Sequence, residues 1–93
     1  MIDVKTAVKL ARDYFAKVYP NEIHTFQDVQ LEEVELSEDE STWLVTIGFS
    51  RPLPLDSFSK NAPEFLRQYQ RDYKVFRIDA QNGKVRSMKI RAV

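Results

Sequence analysis

The sequence predicts an α+β domain: one long N-terminal helix packed on a four-stranded antiparallel sheet, with a partly helical insertion between the second and third strands. Three observations carry that expectation. Apolar side chains recur at helical spacing over residues 3 to 19. Runs rich in β-branched and aromatic residues, alternating with polar ones, follow at 26–36 and 43–49 and again on either side of residue 82. Between the last two runs stands Asn82-Gly83, the dipeptide best able to occupy the positive-φ positions of a tight hairpin turn.

The helix is read from Val4, Ala7, Val8, Ala11, Tyr14, Phe15 and Val18, which form one stripe. Asp3 is placed to cap its first turn, Lys5, Lys9, Arg12 and Lys17 populate the wet side, and Pro20-Asn21 stops it. A stripe of this kind packs on a sheet far more often than on a membrane or a cofactor.

The first strand, 26–36, has an alternation that slips. Val29 and Leu31 share one face while Val34 and Leu36 share the other, so a bulge near Glu32-Glu33 is expected to bring both pairs to one side. Ser37-Glu38-Asp39-Glu40-Ser41 reads as a solvated hairpin tip. In the next strand Trp43, Val45, Ile47 and Phe49 form the expected core face, and Gly48 on the opposite face points to a close approach or a second bulge.

Arg51-Pro52-Leu53-Pro54-Leu55 interrupts the sheet, because each proline lacks a ladder donor. Residues 51 to 71 are therefore expected to form the insertion. Asn61 as cap, Pro63 in the first turn and the Phe65, Leu66, Tyr69 cluster predict a short helix over 61–70. The closing hairpin supplies two strands, with Phe76, Ile78 and Ala80 on one core face and Met88, Ile90 and Ala92 on the other.

With 93 residues, 43% of them hydrophobic, residues 1–93 are expected to form a single domain around one core. There is no cysteine, which excludes disulfides, thiol nucleophiles and thiolate metal sites and suits a reducing compartment. The chain opens without a basic start leading into an apolar stretch, and no run approaches the roughly 18 apolar residues of a membrane span, so a cytoplasmic protein without membrane contact is expected. Net charge is zero but unevenly spread: residues 1–50 hold four Lys or Arg against ten Asp or Glu, and residues 51–93 hold ten against four. Attraction between neighbouring strands explains this most simply; an acidic face and a basic face, able to associate head to tail, would explain it too.

The chemistry on offer is narrow. A single histidine, His24, in a polar loop provides neither a triad nor a second soft metal ligand, and Glu38-Asp39-Glu40 lacks the alternating ligands and turn glycine of a calcium loop. The two glycines cannot build a phosphate cradle. No cofactor and no catalytic residues are therefore assigned. Arg67, Arg71, Lys74, Arg77, Lys84, Arg86, Lys89 and Arg91, interleaved with Tyr69 and Tyr73, would suit a single-stranded nucleic acid, but the pI of about 6.6 and the missing RNA-recognition pattern argue against it.

The order helix, strand, acidic turn, strand, insertion, strand, Asn-Gly turn, strand resembles the cystatin-like arrangement, in which a sheet wraps one long helix. Residues 73–85, a strand ending in Asp79, a turn containing Gly83 and a strand resuming at Val85, look like the closing hairpin of PepSY-type domains, and the 31–36 and 43–47 strands around an acidic turn fit the same pattern. PepSY-type domains are taken to bind or inhibit peptidases, mostly outside the cytoplasm, so the resemblance implies a binding module without an active site.

The expectation is thus a non-enzymatic, inhibitor-like binding domain whose partner is another protein, held through an exposed sheet edge or the insertion. The candidate contacts are Arg51, Phe58, Phe65, Arg67, Tyr69, Arg71 and Tyr73, since aromatics and arginines are favoured at binding hot spots. A homodimer is an open alternative, as a four-stranded sheet leaves two edges. A small-ligand or enzymatic pocket inside the helix–sheet cone, with Asp13, Tyr14, His24 and Trp43 as its only polar candidates, is the reading from another class.

Overall fold

The computed structural model describes residues 1–53 and 68–91. Helix α1 spans Val4–Val18, and a 3-10 turn, Glu22–His24, leads into the sheet. Strands β1 (Gln27–Leu36), β2 (Thr42–Pro52), β3 (Tyr69–Asp79) and β4 (Val85–Ile90) are antiparallel and lie side by side in sequence order, so β1 and β4 are the two edges. An α+β fold with one helix on a four-stranded antiparallel sheet is what the chain adopts.

The helix begins where its cap allows. Asp3 is extended, and its carboxylate accepts the Thr6 amide at 2.8 Å, which satisfies one of the donors every helix start leaves open. On the face turned to the sheet, Ala7, Ala11 and Phe15 are buried at four-residue spacing; the two alanines let the helix lie close to the strands. Opposite them Val45, Ile47 and Phe49 of β2 and Phe76 and Ile78 of β3 complete the core. Phe15 is the hub: its ring lies 5.0 Å from Phe49, 5.3 Å from Tyr19, 5.8 Å from Phe26 and 6.2 Å from Phe76. These rings fill the middle of the layer between helix and sheet.

The N-terminal residues are tied down at the hairpin end. The Ile2 amide donates to the Ala80 carbonyl (2.8 Å), the Trp43 indole donates to the Ile2 carbonyl (3.2 Å), and the Ala80 amide donates to the Ser41 carbonyl (2.9 Å). Trp43 therefore sits half-buried at the rim of the core rather than within it, because its N–H needs a partner.

The bulge expected at Glu32 is present, as the β1–β2 register shifts between Leu31 and Glu33. A second shift falls between Gln27 and Gln30, where Asp28 takes a left-handed φ of 51°. Gly48 is a close approach and not a bulge: a Cβ there would lie 2.6 Å from Glu32 Oε1 and 2.9 Å from Arg71 Nη2.

Four expectations are corrected. Arg51 and Pro52 continue β2, pairing with Gln70 and Tyr69 of β3. The Leu53 amide donates to the Gln68 carbonyl, so by alternation the Pro52 nitrogen faces the β1 side, beyond the last β1–β2 pair at Ser50, where no donor is needed. Tyr69 and Gln70 are strand rather than the end of a helix, since they pair along this extended ladder, and Gln68 before them is not helical; residues 61–67 of the expected helix, with Phe65 and Arg67, lie outside the described residues, as does Phe58. Ile90 is 78% exposed instead of buried, since it stands on the edge strand β4 while the core of α1 packs on β2 and β3. Ala92 lies outside the described residues. Finally, Asn82-Gly83 is not a two-residue turn: the β3–β4 connection runs over residues 80–84, and only Gly83 has a positive φ, 76°. Asp79 dictates that longer loop, its Oδ1 accepting the Gln81 and Asn82 amides while Asn82 Oδ1 accepts the Lys84 amide.

Candidate functional site

Of the residues singled out from the sequence, Tyr69, Arg71 and Tyr73 share the face of β3 turned away from α1, while Arg51 faces the helix side with Phe49. They are drawn together by the long β2–β3 ladder, but as fold-holding groups. Arg71 donates to Glu32 Oε1 (2.5 Å), to the Asp28 carbonyl (2.6 Å) and to Ser50 Oγ (3.3 Å), and its guanidinium lies 5.9 Å from the centre of the Tyr73 ring. It therefore clamps β1 to β3 across Gly48 and holds the strained turn of Asp28. Desolvation works against the charge of Arg71, yet the hydrogen bond to Glu32 and the neighbouring Tyr73 outweigh it and raise its pKa above the ordinary value. Tyr69 hydroxyl accepts from Gln27 Nε2 at 3.0 Å, and Arg51 pairs with Asp72 at 2.5 Å.

The sequence reading missed a different surface. Val4 and Val8 of α1 and Leu31 and Val34 of β1, with Lys5 beside them, line an apolar groove of about 310 Å³ between helix and edge strand. Val4 and Leu31 are exposed, as is Val29 further along β1. The groove exists because Ala7, Ala11 and Phe15 centre the helix over β2 and β3, which leaves its Val4–Val8 flank and the β1 side chains facing each other with no described residue between. The sequence signal for it was the slipped alternation of β1, which brings Leu31 and Val34 to the same side.

A second concavity, of about 360 Å³, is polar. It is lined by Ser41, Thr42, Arg77, Asp79 and Arg86 at the hairpin end of the sheet. Arg86 donates to Asp79 Oδ2 at 2.6 Å; that bond and the Gln81 and Asn82 amides hold the Asp79 carboxyl below its usual pKa. Beside it the hydroxyls of Ser41 and Ser37 and the Ser41 amide lower Asp39 to about 2. These carboxylates are consumed by the two turns they organise. Among the described residues no three His, Asp or Glu side chains gather as a metal site, His24 is exposed, and no helix is long and apolar enough to cross a membrane.

Comparison with family models, with curated proteins and with solved structures returned no match. The class is accordingly defined by the fold and its surfaces: a small α+β domain whose acidic edge strand, unpaired on its outer side among the described residues, lies beside an apolar groove.

Proposed function

We propose that the protein is a non-enzymatic binding module that takes an extended segment of another protein along the edge of β1, which has no strand on its outer side among the described residues. The apolar groove of Val4, Val8, Leu31 and Val34 is the observation that supports this reading. An edge strand offers main-chain donors and acceptors for an added strand, and a neighbouring apolar groove supplies the side-chain pocket that strand addition uses for affinity and specificity. The resemblance to PepSY-type domains implies the same kind of role, and a chain without cysteine suits a reducing, cytoplasmic setting. The filled interior around Phe15 favours a surface over a pocket in the cone, and Tyr73, with Arg71 against its ring, offers a poor stacking platform for a nucleic acid.

The test is photo-crosslinking from the groove. A crosslinker at Leu31 is expected to capture a protein partner that one at Arg77, on the opposite face, does not. Val4→Glu, a change at an exposed position, should abolish the capture while the circular dichroism spectrum is kept. Equal capture from both positions, undiminished by Val4→Glu, would remove the reading.

A further inference from the structure

We infer that the β1 edge takes the β4 edge of a second copy of this chain, head to tail; the inference rests on the reading of β1 as a protein-binding edge. Each edge carries one uninterrupted stretch. On β1 it follows the bulge, residues 33–36, paired to Thr46, Val45, Leu44 and Trp43. On β4 it follows the irregularity opposite Arg77 and Ile78, residues 87–90, and is prolonged by Arg91, whose amide donates to the Tyr73 carbonyl.

Backbone phase, side-chain face and charge each select the same register. The Ser37 amide donates to the Thr42 carbonyl, so alternation turns the N–H and C=O of Glu33 and Glu35 toward β2 and those of Val34 and Leu36 outward. By the same alternation from Arg91, Lys89 faces β3, whereas Met88 and Ile90 present theirs outward. Setting Val34 opposite Ile90 and Leu36 opposite Met88 in antiparallel sense therefore joins two outward-facing sets of hydrogen-bonding groups. On the helix side this register places Ile90, 78% exposed, beside Val34 and the groove. On the other side it sets Glu33 against Arg91 and Glu35 against Lys89.

The symmetric alternatives fail on charge. Pairing β1 with β1 aligns carboxylates, and pairing β4 with β4 aligns Lys89 and Arg91; like charges directly opposite destabilise a sheet. Within one molecule Arg91 lies 3.5 Å from Glu33, a loose and exposed pair that an intermolecular one can replace. Lys5 stands on the helix side, away from the basic pair. The lysine and arginine of β4 thus protect that edge from uncharged partners while matching an acidic one. Because the contact joins two different surfaces, it propagates as an open chain of molecules, and its short ladder makes it weak and concentration-dependent.

Sedimentation velocity from micromolar to millimolar protein tests this. The mean mass of the wild type should rise with concentration and fall with added salt. Glu35→Lys alone and Lys89→Glu alone should each weaken association about tenfold or more, since each sets like charges opposite one another. An equimolar mixture of the two variants should restore it, because the reversed β1 edge of one then meets the reversed β4 edge of the other, and the remaining contact between them is native. Ile90→Ser, at an exposed position, should also weaken it. A wild type that stays monomeric throughout, or single reversals that leave its mass unchanged, would overturn the proposal. If such a monomer still loses its crosslinked partner on Val4→Glu, edge binding stands and only the second copy is excluded.

Discussion

Gly48 shows how one absent side chain allows two others to meet. Glu32 and Arg71 join β1 to β3 over the backbone of β2, and they can do so only because no Cβ stands between them. Both partners keep about a third of their exposure, so the pair itself is worth less than about 1 kcal/mol. Gly48→Ala should nevertheless destabilise by about 1 kcal/mol, as the added methyl displaces both chain ends and frees Asp28 from the Arg71 clamp. Urea unfolding of Gly48→Ala in the Glu32→Ala background checks the cause. The loss should largely vanish there, whereas an equal loss in both backgrounds would show that the backbone, not the ion pair, resents the methyl. The glycine itself was legible as a close approach or a bulge; the pair that decides for the close approach joins residues far apart in the chain and was not legible.

At the scale of elements, the two described hairpins owe their shape to single carboxylates. Asp39 collects the hydroxyls of Ser37 and Ser41, and Asp79 collects two loop amides and Arg86. Gly83 closes the second loop at φ 76°, and Leu10 of α1 packs within 3.0 Å of where its Cβ would be. Gly83→Ala is therefore expected to cost about 1–2 kcal/mol from the left-handed conformation alone. Thermal unfolding should show the loss, and an unchanged midpoint would contradict the conformational assignment. That a hairpin stands here was plain from its flanking runs, but its length was decided by Asp79, whose hydrogen bonds favoured a five-residue connection over the tight turn. Pro52 misled in a related way: a proline is barred from a ladder only on the side where its nitrogen faces a partner, and β1 has already ended there.

For the molecule as a whole, stability converges on Phe15, the one helical side chain that touches aromatic rings from the 26–49 region and from β3. Phe15→Ala should cost about 3–5 kcal/mol, a large share of the roughly 5–14 kcal/mol available to a domain of this size. A urea midpoint lowered by less than about a fifth would show that the aromatic cluster is not the keystone. The sequence by itself determined the order of the described helix and four strands, the Ala7, Ala11 and Phe15 stripe of α1, most of the core faces of β2 and β3 and the bulge in β1, because helical and strand periodicities and helix capping are local properties of the chain. Only the tertiary structure decided which apolar residues stay uncovered. Val4 and Ile90 read as core by pattern and Leu31 as part of one apolar face, yet one helix is too narrow to cover four strands, and it lies over the middle pair. The groove and the two charged edges are what that shortfall leaves exposed.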